Sequence, residues 1–131
     1  MQSKTPPRDT IRPTLARAWA RGQLVTEEVF LSQSGLSAAQ LAAALIENRL
    51  FYIEFQHTRS YPAFFLDATL PVGSASEVSH LLGSRSPDGK FLFFTQPNAF
   101  LALAPDTSRT PLEALRDGDV ERVKRLASAE N

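Results

Sequence analysis

Few groups in this chain are suited to acid–base or metal chemistry, and their spacing commits none of them. Its 131 residues hold two histidines and no cysteine, which excludes thiolate chemistry, disulfides and Cys-ligated metals. His57 falls in a polar stretch that reads as an exposed turn, and His80 on a short helical pattern. Neither has an acid or a nucleophile at a spacing that would make it a general base. Asp106, Asp117 and Asp119 imitate part of a calcium loop, but the ordered alternation of ligands and the closing glutamate are missing. Turn chemistry accounts for Asp106 and Asp117, and helix capping for Asp119. No G-x-S-x-G, phosphate-loop or H-E-x-x-H pattern occurs. No catalytic residue, metal site or cofactor is expected, and the chain does not read as an enzyme.

The remaining polar side chains are of the kind that bind macromolecules. Ser37 caps the pattern AAQLAAALIENR, whose outward residues are Ala38, Ala39, Gln40, Ala43 and Glu47. Of these, Gln40 alone is able to make a bidentate base contact, to adenine. Ser37 and Gln40 are therefore candidate DNA contacts, with Arg49, His57 and Arg59 as phosphate contacts and Lys4, Arg8 and Arg12 as further basic residues of the tail. The helix carries no Lys or Arg before Arg49, so contact with protein stands as the alternative to contact with DNA. Zero net charge, from 14 basic and 14 acidic residues, argues against a general nucleic-acid coat. Arg109, Arg116 and Arg122 are expected to be exposed, and Arg116 is also placed to complement the C-terminal dipole of its helix.

The elements that position these residues read as follows. Residues 1–10 form a loose tail. Thr10 or Thr14 opens a helix that reaches about Arg21, carries Trp19 as a packing anchor, and stops at Gly22. Thr26 caps a helix with Val29, Phe30 and Leu31 on its apolar face, and Gly35 ends it. The helix after Ser37 buries Leu41, Leu45 and Ile46. Residues 50–55 read as a strand, 56–60 as a polar turn, and 61–65 as a returning strand that Pro62 keeps short or at an edge. Two helices and a hairpin make a small winged helix-turn-helix.

Residues 68–74 read as a linker. Ser74 or Ser76 then caps a helix with Val78, Leu81 and Leu82 buried and Gly83 as its stop. Ser84 to Gly89 is a polar turn. The run Lys90 to Phe94 is a buried strand or a buried helix, which periodicity does not decide. Thr110, Pro111 and Glu113 spell a capping box. Gly118 ends that helix, and Asp119 caps another with Val120, Val123, Leu126 and Ala127 on one face. Glu121 and Arg125 are spaced as a surface pair. No apolar run approaches the ~20 residues of a membrane span, and the start of the chain lacks the apolar stretch of a signal peptide. A soluble, cytoplasmic chain is expected.

The stretch Arg109-Thr110-Pro111-Leu112-Glu113-Ala114-Leu115-Arg116-Asp117-Gly118-Asp119, preceded by Thr95-Gln96-Pro97-Asn98-Ala99, resembles the end of the Xre/MbcA/ParS toxin-binding domain of bacterial antitoxins. Ser60-Tyr61-Pro62-Ala63-Phe64-Phe65-Leu66-Asp67 resembles the exit of the helix-turn-helix that often precedes it. Between the two C-terminal motifs, residues 100–106 replace the family's Gly-rich turn. The resemblance implies that residues 90–95 are helical and end near Thr95. It implies a surface around 109–118, with Arg109, Arg116 and Arg122 as its partner-binding candidates, that binds a toxin of the RES fold, a helix-turn-helix that binds DNA, and a homodimer. Nine phenylalanines, with the KFLFF run near Phe100, point to apolar surface that a dimer would cover. The expected fold is mainly α with a small β-hairpin (α+β), a winged helix-turn-helix over 11–67 packed on a helical domain over 68–131. The expected function is that of an antitoxin-like DNA-binding regulator that also holds a protein partner, or else of an interaction module without DNA binding.

Overall fold

In the computed structural model, residues 15–55 and 57–130 are described. The expected tail, the helix start at Thr10 or Thr14, and Lys4, Arg8 and Arg12 lie outside them. The chain is mainly helical with one small antiparallel sheet. Helix α1 is described over 15–20 and gives way at Gly22, φ 76°. Strand β1 (Leu24–Thr26) leads directly into α2 (Glu27–Ser34), and α3 (Ala38–Ile46) follows after a three-residue turn. Strands β2 (Ile53–Phe55) and β3 (Thr58–Pro62) form a hairpin. A 3-10 helix over Ala63–Leu66 leads into the second half, made of α4 (Ser74–Leu82), α5 (Pro87–Thr95), a 3-10 turn at Ala99–Leu101, α6 (Pro111–Arg116) and α7 (Val120–Glu130).

Local chemistry explains most of the ends. The Thr26 hydroxyl accepts the Val29 N–H at 3.3 Å to start α2, and Gly35 takes the left-handed conformation, φ 77°, to stop it. Ser86 caps α5 and Pro87 stands in its first turn, where a missing N–H is harmless. The helix ends at Thr95 because Pro97 disfavours helical geometry in the residue before it. Thr110 and Glu113 close a reciprocal capping box on α6, with bonds of 3.0 and 2.8 Å.

Several expectations change. The sheet has three strands in the order β1-β3-β2. Strand β1 has only three residues, too few to show an alternation, and exists because it pairs with β3 through Leu24–Pro62, Val25–Tyr61 and Thr26–Ser60. The returning strand runs over 58–62 instead of 61–65, since Phe55 pairs with Thr58 and leaves a two-residue turn, with His57 at φ 65°. Pro62 therefore ends a central strand rather than an edge one, and the ladder passes on to Ala63, whose N–H donates to the Gln23 carbonyl at 2.8 Å. Residues 87–89 belong to α5, not to a turn. Helix α4 starts at Ser74 after a left-handed Gly73, without the expected hydroxyl cap.

The larger core draws on both halves of the chain. Leu15, Leu24, Phe51 and Phe64 meet Val78, Leu82, Phe91, Phe94, Leu115 and Val123 in it, with Trp19 packed at its edge. Phe94 lies at its centre, with ring centroids 4.5 Å from Phe64 and 6.4 Å from Phe51. Helix α4 packs along α7, and Lys124 reaches Glu77 at 3.2 Å across that seam and Glu121 at 3.6 Å. A smaller core of Phe30, Leu41, Leu50 and Tyr61 underlies α2 and α3, and Phe65 packs on both. Ile46, expected in it, is 82% exposed. It lies about 140° round the helix from Leu41, whereas Leu45 lies about 40° away.

Phe94→Ala should cost about 3–5 kcal/mol, the usual loss for a fully buried aromatic. Ile46→Ala should stay within about 0.5 kcal/mol. Urea denaturation of the two variants checks both.

Candidate functional site

The first candidate face is α3 with the β2–β3 hairpin. Helices α2 and α3 turn through 104°, which leaves the outer side of α3 open. Ala38, Ala39, Gln40, Ala42, Ala43, Ile46 and Glu47 are exposed there. Ser37 and Gln40 meet at its start. The Ser37 hydroxyl accepts the Gln40 N–H at 3.1 Å, and Gln40 Oε1 accepts the Ser37 N–H at 2.9 Å. That oxygen is one of the two atoms a bidentate adenine contact would use, so the expected base-reading geometry of Gln40 is not free but engaged in a capping box. Beyond the other end of α3, Arg49 Nε lies 3.0 Å from Glu47. On the hairpin, Arg59 is 3.8 Å from Glu27 and stacks over the Tyr52 ring at 4.4 Å. His57 is exposed at the tip. The two arginines are thus each beside a carboxylate.

Behind this face Tyr61 stacks on Phe30 at 4.9 Å and donates its hydroxyl to Glu27 at 2.7 Å. Burial first, then the bond to Glu27, pushes the phenol well above its ordinary value.

The candidates Arg109, Arg116 and Arg122 do not form one surface. Arg109, expected to be exposed, is buried. Its Nε donates to the Leu101 carbonyl at 2.7 Å, one terminal nitrogen to Asp117 at 3.0 Å and the other to Asp119 at 2.7 Å. Together with the backbone pairing of Asn98 and Arg109, this fork ties the loop of residues 99–108 to the corner between α6 and α7. A planar guanidinium with donors on two edges suits that task, and a point charge would not. Asp117 and Asp119 thus have a role that turn and capping propensities missed. The Asp119 carbonyl still accepts the first bond of α7, from Val123 at 3.4 Å. Arg116 donates to Asp67 at 2.9 Å and to Thr69 at 3.0 Å, fastening α6 to the segment after β3. The Thr69 hydroxyl first, then Arg116, holds the Asp67 carboxyl below the usual carboxylate range. Arg122 is the most open of the three in its bonding, 3.7 Å from Asp119.

The loop of residues 99–108 carries Phe100, 49% exposed, and Leu103, 69% exposed. The KFLFF run behind it is mostly inside, with Lys90, Phe91 and Phe94 buried. The apolar surface expected from that run is therefore limited to the loop.

Lys90 opens the run expected to be buried, but the bonding of its charge was not foreseen. It is 2% exposed, and its ammonium lies 3.1 Å from the Ser79 carbonyl, 3.3 Å from the Ser79 hydroxyl and 3.4 Å from the Asn48 carbonyl. A lone lysine one residue before Phe91 and four before Phe94, on what proves to be the buried face of α5, was the available signal. Burial pushes it down from 10.5 to about 8.

A cleft of about 300 Å³ runs between Gln23, Phe64, Phe91 and Leu112, with Asp67, Thr95 and Arg116 on its wall. Those three polar groups already bond one another or the backbone, and no nucleophile–base pair assembles there. Among the described residues no group of three or more His, Asp or Glu side chains converges as a metal site, and no single helix is long and apolar enough to cross a membrane. Comparison with models of known families, with curated proteins and with solved structures finds no match to this chain.

Two outcomes follow from these geometries. The unfolded chain holds a lysine proton up to about pH 10.5 and the folded chain only up to about 8. Stability should therefore rise between those values, at about 1.4 kcal/mol per pH unit. Tyr61 acts in the opposite sense from about its ordinary value of 10.0 upward, so denaturation at pH 7, 8 and 9 isolates the lysine, and Lys90→Met should abolish the rise. Arg109→Ala should cost about 1–3 kcal/mol, because the buried Leu101 carbonyl loses its donor while the two carboxylates it releases are open to water. Arg122→Ala should stay within about 0.5 kcal/mol. Chemical denaturation compares the pair.

Proposed function

We propose that this chain is an antitoxin-like bacterial regulator that binds DNA through residues 15–66 and a protein partner through the second half. One observation supports the DNA reading: a helix, a strand, two helices and a hairpin follow one another as α1, β1, α2, α3, β2, β3, with β3 between the other two strands, an order compatible with a winged helix-turn-helix. The 104° turn between α2 and α3 falls within the roughly 90–120° of that motif. On this reading α3 enters the major groove and the hairpin carrying His57 and Arg59 lies along the backbone. The ion pairs of Arg49 and Arg59 do not oppose it, because exposed pairs are worth about 0–1 kcal/mol and exchange readily for phosphate. With Gln40 engaged in its cap, the contacts would be mainly to phosphate and groove shape, with few to bases.

The partner reading rests on the resemblance to the Xre/MbcA/ParS toxin-binding domain, in which the corresponding region binds a RES-fold toxin and helps form dimers. Exposed Leu103, beside Arg109, Asp117 and Asp119, and exposed Phe100 supply apolar area in the loop of residues 99–108. A second reading, an antitoxin-type interaction module without DNA binding, is favoured by the outward face of α3, where Ala38, Ala39, Ala42, Ala43 and Ile46 offer no charge.

Selection of bound fragments from the source organism's own DNA, at two salt concentrations, separates the readings. A regulator should enrich a short palindrome with binding that weakens steeply with salt, and Arg59→Ala should lower the salt slope by about one. No enrichment at low salt would sink the DNA reading and leave the interaction module.

A further inference from the structure

Helix α3 is anchored at its end more than along its length. Leu41 is its one fully buried residue, Ala44 and Leu45 are partly covered, and most of its other residues face outward. Its C-terminal turn leaves helical geometry at Glu47 and then passes through Asn48, a non-glycine residue at φ 62°. The carbonyls at such an end have no partner inside the helix and need donors from elsewhere. Here the donors come from the other half of the chain. His80 Nδ1 donates to the Glu47 carbonyl at 2.7 Å, and the Ser79 hydroxyl donates to the Asn48 carbonyl at 2.7 Å, both from α4. Lys90, from α5, reaches the Asn48 carbonyl at 3.4 Å and the Ser79 carbonyl at 3.1 Å. A cation and two further donors thus sit where the helix dipole is negative, and all three belong to elements separated from α3 by the sheet and the linker.

We infer that this three-residue cap couples the two halves: α3 keeps its last turn, and with it its setting against α2, only while α4 and α5 stay in place. The two states are the capped turn and a frayed one. A macromolecule that shifts α4 or α5 withdraws the donors and frees the end of α3. One that clamps α3 in the capped state stiffens α4 and α5 by the same free energy, because coupling is reciprocal. The device operates on α3 whether that helix meets DNA or protein, so it stands apart from the choice between the two readings above.

Amide hydrogen exchange tests it directly. The reporters are the N–H groups of Glu47, Asn48 and Arg49, which close the last turn onto Ala43, Leu45 and Ala44. In Ser79→Ala, Lys90→Met and His80→Ala these amides should exchange about tenfold faster or more, while those of β1, β3 and α7 change by less than about twofold. Unchanged exchange at the three reporters would overturn the inference. So would uniform acceleration everywhere, which would mean that the three residues only hold up the fold. His80 is exposed, so His80→Ala gives a reading even if a change at buried Ser79 or Lys90 prevents folding.

Discussion

A positive charge sealed beneath the surface has to be met by oxygen, and Lys90 imposes that requirement on this molecule. Its ammonium is surrounded by two backbone carbonyls and one hydroxyl, none of them charged, and burial is the cause of its lowered proton affinity. The arrangement needs α4 to present the Ser79 carbonyl and the turn after α3 to present that of Asn48. It therefore fixes the second half of the chain against the first at a single point. Around it the larger core is continuous, with Phe51 from the stretch after α3 beneath the lysine at 5.7 Å and Phe94 on the same helix packed against Phe64. The apolar packing supplies most of the free energy. The lysine restricts which packing is acceptable, because any slip of α5 along α4 would leave the charge unmet.

Arg109 makes a comparable demand with different chemistry. It has two carboxylates and a carbonyl in a planar fork, so its charge is neutralised as well as hydrogen-bonded. The result is a rigid corner that holds the loop bearing Phe100 and Leu103. Arg116 adds a third tie, from α6 to Asp67 and Thr69. Two of the three arginines that look like a binding surface are thus joints of the fold, which leaves Arg122, Phe100 and Leu103 as the open residues.

These ties bear on function through α3. The helix has a sparse apolar footing and an outward face of alanines, so its own sequence does little to define what it meets. Its position between α2 and the cap from α4 and α5 makes the second half of the molecule part of whatever surface α3 presents. On the proposed reading, a regulator with one face for DNA and another for a protein partner, the cap is where the two faces share a physical connection.

Local chemistry was legible in the sequence. The caps at Thr26, Ser37 and Thr110, the stops at Gly35, Gly83 and Gly118, and the mainly helical character follow from interactions within a few residues, which the order of residue types fully specifies. Periodicity left residues 90–95 open between strand and helix, and only the resemblance pointed to a helix ending near Thr95, where α5 does end. What only the tertiary structure decided involves partners far apart in the chain. Strand β1 is too short to announce itself and forms because β3 accepts it. The register of the hairpin, and with it the place of Pro62, depends on which residue Phe55 faces. Arg109 reads as a surface residue, Asp117 and Asp119 as turn and cap residues, and Lys90 as the end of an apolar run, until Asn48, Ser79 and Leu101 are brought beside them. A charged side chain carries no mark of burial in its own identity; burial depends on whether the folded chain delivers enough oxygen to replace water, and that is a property of the three-dimensional arrangement.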